Sequence, residues 1–382
     1  MSAPSSRYDY IIAGAGAAGL SLLVRMIASG KFADKKILLA EKAPKTSNDR
    51  TWCFWEEGAG YFEQLVCCKW NHIWYHGPGF SHQFDILPYH YKMIRGIDFY
   101  EHCFPIISSQ PNVTIEYGDI TDMDSRDGTT WLLLNGRQVE AGYIFSSILP
   151  KLAPAKGEHM LLQHFKGWMI QTEQPVFQPA QATLMDFRVG QQHGTTFVYV
   201  MPFTPHRALV EYTLFSPALL QQQAYDDGLQ QYMREHLHCD RYQVLETEFG
   251  IIPMTNHRFP VRRANIVYLG TAGGQTKASS GYTFRFIQKH SEAVLKAMLN
   301  DRLDEDLPTI PRKYHFYDSV LLNVLATGKA TGATVFTDLF ASNPPGRIFR
   351  FLNNDSSLAE DISLISTLPV WPFLKAGVRE MC

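Results

Sequence analysis

The sequence has no charge imbalance, no cysteine framework and no long apolar run. Lysine and arginine number 35 against 37 aspartate and glutamate, without a basic block, so nucleic acid is not expected as a partner. The six cysteines form no CxxC pair, and a reducing, cytoplasmic location is the simpler expectation. The short polar stretch at 1–7 is not expected to be a signal peptide. Since no run is long enough to span a bilayer, any membrane contact is expected to be peripheral.

Aromatic residues are plentiful, with 24 Phe, 18 Tyr and 7 Trp among 382 residues. Such a composition suits the lining of a large apolar cavity, and it equally suits ordinary hydrophobic cores. A chain of this length exceeds one typical core, so we expect two packed regions.

A glycine motif near the start of the chain follows an apolar strand and precedes a helix-like run. Gly14 allows a tight turn, Gly16 leaves room for a pyrophosphate, and Gly19 lets the helix pack closely on the strand, with Ala18 beside it. Glu41 ends a second apolar strand about twenty residues later, where dinucleotide folds place a carboxylate on the ribose. The motif therefore predicts dinucleotide binding, the alternative being an ordinary tight strand–helix turn.

The order of predicted elements indicates an α/β (α+β) fold with an interrupted first domain. A Rossmann-type domain is expected at 1–150 and 260–290, and a mostly antiparallel sheet, inserted between the two parts, at 151–259. Residues 291–382 have a helical pattern and form a C-terminal region. Oligomeric state is not indicated.

Further candidate cofactor residues lie outside the first motif. A second apolar strand runs into a glycine turn at Gly270, Gly273 and Gly274, which returns the chain to the first domain. A helical register is predicted from Tyr91 onward, and Arg95 near that helix start either meets an anionic cofactor group or lies on the surface.

Glu211 is the most informative charged residue of the second domain, since it interrupts an apolar and aromatic strand. Strand alternation leaves two possibilities for this carboxylate: solvent, or a dry cavity in which desolvation would raise its pKa. The aromatic residues nearby have the same ambiguity between cavity wall and core packing; they are Trp52, Phe54, Trp55 and Tyr199. His236–Asp240 offers potential metal ligands, but no second cluster has a matching spacing, and no metal is expected.

Apolar residues cluster near the C-terminus, where they either form a membrane-docking face or pack as core helices. They are Phe340, Ile348, Phe349, Phe351, Leu352 and the stretch at 362–374.

In combination these motifs resemble those of the flavoprotein lycopene cyclases, over most of the chain. The segments that carry the resemblance are Tyr10–Gly19, Asp49–Trp55, Tyr199–Phe203, His206–Thr213, Gly250–Met254, Gly270–Phe284 and the tail at 339–352. The resemblance implies bound FAD, held by the two glycine segments with Arg50 and Arg95, and used in its reduced form with NADPH as electron source. It implies Glu211 as proton donor to lycopene drawn from a membrane, and closure of beta-ionone rings without net redox change.

One position departs from the pattern of related flavoproteins. These usually carry Gly-Asp in the second glycine segment, with the acid on the ribityl chain, whereas here Thr271 follows Gly270. A flavin monooxygenase or epoxidase, or a non-catalytic lipid-escort protein, is the alternative function on the same fold.

Overall fold

The computed structural model describes residues 7–126, 128–152, 155–305 and 307–381; the first six residues of the polar N-terminal stretch lie outside this part of the chain. The strands are β1 Arg7–Ala13, β2 Ile37–Glu41, β3 Thr51–Glu57, β4 Cys68–Trp70, β5 His72–Gly77, β6 Phe80–Asp85, β7 Tyr89–Arg95, β8 Val113–Tyr117, β9 Ile120–Arg126, β10 Thr129–Leu134, β11 Arg137–Ser146, β12 Met160–Thr172, β13 Gln181–Asp186, β14 Thr195–Thr204, β15 Arg207–Ser216, β16 Tyr242–Thr255, β17 Arg262–Arg263 and β18 Ile266–Tyr268. The helices are α1 Ala17–Ser29, α2 Gly96–Ser108, α3 Gln222–Glu235, α4 Phe284–Leu299, α5 Arg312–Ala326, α6 Gly332–Ser342, α7 Pro345–Leu352, α8 Leu358–Ile365 and α9 Val370–Met381.

The first sheet has the order β17-β18-β11-β1-β2-β8, with β10 and β9 attached beside β11. Its central strands β18, β11, β1, β2 and β8 run parallel. The buried parts of β1 and β2, Ile11–Ala13 and Ile37–Ala40, are wholly apolar. Helices α1 and α4 pack against each other beside β1. This arrangement confirms the predicted Rossmann-type α/β fold.

The second sheet has the order β16-β12-β15-β14-β13-β5-β6 and is antiparallel except between β13 and β5. Strands β5 and β6 join this sheet from within the first segment of the chain. The predicted domain boundaries themselves stay a prediction.

Both faces of the second sheet are covered. On β15, Ala208, Val210 and Tyr212 pack toward α3, whereas Leu209 and Phe215 belong to a core shared with the C-terminal helices. The predicted alternation of this strand is therefore confirmed, and Glu211 lies on the side away from α3.

The helix predicted from Tyr91 starts later in the structure. Residues Tyr89–Arg95 form β7, the central strand of a small sheet with the order β3-β7-β4, and α2 begins at Gly96. Pairing on both edges, together with burial of Tyr91 and Met93, outweighs the helical pattern that begins correctly at Ile97.

The C-terminal apolar residues divide into two sets. Phe340, Ile348, Phe349 and Leu352 are buried in the core between α6, α7 and the second sheet. By contrast Ile362, Trp371 and Leu374 on α8 and α9 are 61%, 71% and 55% exposed. Within the described residues, no helix has both the length and the apolar character needed to cross a membrane.

Candidate active site

The carboxyl ends of the parallel strands β1, β2, β11 and β18 meet beside a cavity of about 410 Å³. Gly16 and Ala18 line it from the turn after β1, and Gly270 lines it from the turn after β18. Residues of the second sheet line the same cavity, among them Tyr199 and Glu211. The cavity therefore brings both groups of predicted site residues together, at the position where open α/β sheets bind ligands.

The three glycines of the first motif have different local environments. Gly14 has a φ of +103°, and a Cβ there would lie 2.3 Å from Ser147 Oγ. A Cβ on Gly19 would lie 2.0 Å from the carbonyl oxygen of Gly14, so the close approach of α1 to the turn requires glycine. Gly16 has no atom within 4 Å of its would-be Cβ. The turn is thus crowded at Gly14 and Gly19 and open at Gly16, the position at which the sequence predicts a pyrophosphate.

Glu41 holds the glycine turn in place. Its Oε2 accepts a hydrogen bond from the backbone N–H of Ala15, and its Oε1 accepts one from Lys42 at 2.9 Å. Gly16 caps α1 without a side-chain hydrogen bond, so N–H groups of the first turn are available to an anion. The predicted placement of the Glu41 carboxylate on a ribose stays a prediction.

The second glycine segment packs onto the first. Gly270 has a φ of +59°, and a Cβ there would contact Ala18 Cβ at 3.1 Å. Gly273 and Gly274 form the turn behind Gly270, with a φ of +81° at Gly274, and neither lines the cavity. Thr271 lines the cavity, and its hydroxyl lies 2.9 Å from that of Thr276.

The two predicted arginines differ in position. Arg50 lines the cavity with an exposed guanidinium, which donates to the backbone oxygen of Asp49 at 2.8 Å. Arg95 instead forms a two-point ion pair with Asp98, with an Nε to Oδ2 distance of 2.7 Å, and does not line the cavity. The guanidinium of Arg50 is therefore positioned to bind an anion in the cavity, whereas that of Arg95 is already paired with the carboxylate of Asp98.

Glu211 is buried at 8% exposure in the wall of the cavity. Its Oε1 accepts a hydrogen bond from Thr213 Oγ1 at 2.8 Å, from the next inward position of β15. Burial, followed by the nearby negative charge of Glu248, raises the pKa of this carboxyl well above the usual glutamate value. Both effects favour the protonated form of the side chain, in a cavity with a largely apolar wall.

Glu248 is a site residue that the sequence reasoning missed. On the neighbouring strands, Gly167 of β12 is paired with Glu211 of β15 on one side and with Glu248 of β16 on the other. A Cβ on Gly167 would lie 2.9 Å from Glu248 Cγ and 3.1 Å from its Oε1, so the Glu248 carboxyl lies over the glycine, toward Glu211. The strand register that places Gly167 between the two glutamates is the signal that links them. This register cannot be derived from a local stretch of sequence.

The aromatic residues near the site have two roles. Trp52 and Tyr199 line the cavity, whereas Phe54 stacks on Phe284 at 4.6 Å and Trp55 stacks on Phe349 at 4.7 Å within the cores. Burial raises the pKa of the Tyr199 phenol, which stays neutral.

Two buried polar atoms in the cavity wall have no hydrogen-bond partner among the described residues: Gln163 Oε1 and Ser280 Oγ. Unsatisfied buried polar groups are uncommon, and together with the open space at Gly16 they fit a bound ligand that has both phosphate and polar ring atoms. Among the described residues, no group of three or more His, Cys, Asp or Glu side chains has a metal-binding arrangement.

A family model described as "Lycopene cyclase protein" matches residues 9–377. The chain belongs to the lycopene cyclase family. A lycopene beta-cyclase from a Paracoccus species is 34% identical over 100 residues; the matched stretch covers 26% of this chain and 24% of that relative's length.

Solved structures similar to this lycopene cyclase family member are flavoproteins and related enzymes. The flavin-dependent brominase Bmp2 has a TM-score of 0.61 at 12% identity, covering 94% of this chain and 98% of that one. A flavoprotein/dehydrogenase from Cytophaga hutchinsonii has a TM-score of 0.58 at 14% identity, covering 98% and 99%. A geranylgeranyl bacteriochlorophyll reductase-like protein from Thermoplasma acidophilum has a TM-score of 0.57 at 12% identity, covering 97% and 96%. These likenesses support the Rossmann-type flavoprotein fold.

Proposed function

We propose that this protein cyclises the acyclic ends of lycopene to beta-ionone rings, giving beta-carotene, by acid catalysis without net redox change. The observation that carries the proposal is the buried carboxyl group of Glu211, in the wall of the same cavity that the glycine turn lines. Membership of the lycopene cyclase family supports the substrate class.

We propose FAD as the cofactor, used in its reduced form. Its phosphates would bind at Gly16 and the N-terminus of α1, with Arg50 at the rim, and Glu41 would bind its ribose. Reduced flavin supplies electron density that stabilises positive charge beside it. The neighbours' dependence on flavin and the open space at Gly16 support this assignment.

The proposed chemistry begins at the carboxyl proton of Glu211. Transfer of this proton to the terminal double bond of lycopene makes a tertiary carbocation, and attack by the neighbouring double bond closes a six-membered ring. The ring cation then loses a proton, so one proton enters and one leaves. Thr213 holds one oxygen of Glu211 by its hydrogen bond, which orients the acid.

The remaining wall residues protect the cation. Trp52 and Tyr199 offer aromatic rings to positive charge in the cavity, and Met201 and Ile252 add apolar surface that excludes water. Water exclusion matters because water would capture the cation before the ring forms.

The decisive experiment is pigment analysis of cells that make lycopene and are supplied with this chain. Beta-carotene should accumulate with the wild-type protein and fall by about 10²–10⁴-fold with Glu211→Gln, the usual contribution of a positioned general acid. Glu246→Gln is the matched control, because it removes an exposed carboxylate from the same sheet. Unchanged cyclisation by the Glu211 variant would refute the assignment of the acid.

Electron supply is tested separately. NADPH as electron donor is expected to support turnover without oxygen, because cyclisation consumes no oxidant. Oxygen consumption coupled to NADPH oxidation would favour a monooxygenase, and bound but acyclic polyene would favour an escort protein.

We also propose peripheral membrane docking, through α8 and α9. Their exposed apolar side chains are Leu358, Ile362, Val370, Trp371, Leu374 and Val378, each at least 55% exposed. Lys375 and Arg379 on α9 add positive charge that suits anionic lipid headgroups. Because the proposed substrate is insoluble in water, the protein needs such a surface to reach it in a membrane.

A further inference from the structure

Glu211 and Glu248, which lie on either side of Gly167, are not equivalent. Glu211 lies deep in the wall, and its Oε1 accepts a hydrogen bond from Thr213. Glu248 lies on the edge strand β16 and is half-buried, with Oε2 accepting from Thr51 Oγ1 at 2.7 Å. Its Oε1 is buried without a partner and lies over Gly167, toward Glu211.

We propose that Glu248 is a positioning residue that shares one proton with Glu211, carries the negative charge of the pair, and thereby keeps Glu211 in its acid form. The assignment rests on the juxtaposition of the two carboxyls across Gly167, where any larger residue would separate them. In its activity test it also rests on the proposed function.

The surroundings decide which glutamate holds the proton. Burial raises the pKa of Glu248, but the Thr51 hydroxyl and the positive charge of Arg50 act in the opposite direction and favour its ionised form. For Glu211, burial and, second, the charge of Glu248 both favour the protonated form. Two carboxyls whose environments differ in this way divide into one acid and one carboxylate.

The other groups that face the pair do not compete for the proton. Cys53 of β3, Tyr199 of β14 and Tyr282 lie near Glu211, and burial raises the pKa of each, so they stay neutral. On β16 itself, Glu246 lies two residues before Glu248 and is exposed, where its charge is screened by solvent. The pair is therefore governed by Glu248, Arg50 and the depth of Glu211.

The direct test is an infrared pH titration of the purified protein without substrate. The C=O stretch of a protonated carboxyl, assigned to Glu211 by its loss in Glu211→Gln, should persist at neutral pH in the wild type. In Glu248→Gln this band should disappear at lower pH than in the wild type, because the neighbouring negative charge is gone. Glu246→Gln is the control and should titrate as the wild type does.

The second readout is the pH profile of cyclisation. In Glu248→Gln the alkaline limb of kcat/KM should move to lower pH while the rate at acidic pH is kept, each unit of displacement lowering the rate at a fixed alkaline pH about tenfold. Glu248→Asp should restore part of the wild-type profile. A uniform loss at every pH, with the infrared titration unchanged, would show a merely structural role and overturn the proposal.

The two experiments distinguish failure of the proposed function from failure of the proton-sharing proposal. If the wild type forms no cyclic product, the proposed function fails, and the infrared titration still decides whether the carboxyls share a proton. If Glu248→Gln does not fold, Gly167→Ala takes its place, because the added Cβ would displace Glu248 Cγ from a 2.9 Å contact. That variant should move the Glu211 band in the same direction, and an unmoved band would overturn the proposal.

Discussion

Replacing Glu211 with glutamine should change how the stability of the protein depends on pH. The pKa of Glu211 is raised by burial first and by Glu248 second, so the folded state holds a proton that the unfolded chain releases. Stability therefore falls as pH rises from the ordinary glutamate value of about 4.3 toward the raised value in the folded state. Because glutamine has no titrating proton, the stability of the variant does not fall with pH for this reason.

The magnitude follows from one proton. Each pH unit in this window changes the free energy of unfolding by about 1.4 kcal/mol per proton. Over this window the stability of Glu211→Gln relative to the wild type should therefore rise with pH, by at most about 1.4 kcal/mol for each pH unit. At pH values below the ordinary glutamate value the relative stability should be constant.

The assay is urea-induced unfolding of the wild type and Glu211→Gln at several pH values. Glu246→Gln, which loses an exposed carboxylate on β16, should run parallel to the wild type. A pH-independent difference between Glu211→Gln and the wild type would mean that the folded protein does not protonate Glu211. The proposed acid would then be ionised at neutral pH, and the reasoning would fail.

Three further predictions concern other parts of the molecule. Gly16→Val should leave the fold intact, because φ is −87° and no atom lies within 4 Å of its Cβ position, yet weaken flavin binding at least about tenfold in a fluorescence titration, since the side chain occupies the phosphate space. Lys92→Met should lower the free energy of unfolding in urea by about 1.5–3 kcal/mol, because it removes a fully buried cation from buried Glu56, which keeps Arg285 as a partner, and from half-buried Glu63. The double variant Trp371→Glu, Leu374→Glu should lose about 3 kcal/mol or more of binding to lipid vesicles in a sedimentation assay, with unchanged thermal unfolding, because both side chains are exposed.

Local chemistry explains what the sequence predicted well. The turn at Gly14 needs a positive φ and the contact at Gly19 leaves no room for a side chain, so the residues themselves reveal the strand–turn–helix. The inward direction of Glu211 follows from alternation along one strand, which is again a local property.

What the sequence did not predict depends on distant pairing. Tyr91 is strand rather than helix because β3 and β4 both hydrogen-bond to its strand, and neither partner is visible in a local window. Glu248 is brought to the site because Gly167 pairs with both glutamates, and this pairing joins strands that are far apart in sequence. Strand register of this kind is fixed by the whole sheet.

The short segment Arg50–Thr51 joins these two parts of the site. Arg50 lines the cavity that the glycine turn also lines, and the next residue donates its hydroxyl to Glu248, across a separation of 197 residues in sequence. The backbone of Arg50 is fixed by a 2.6 Å hydrogen bond from the N–H of Gly96 at the start of α2. Because this segment contacts both the cavity and Glu248, an anion that binds Arg50 would reduce the stabilisation of the Glu248 carboxylate. If the proposed cofactor binds there, its loading and the protonation of the glutamate pair would be coupled through charge, without any movement of the chain.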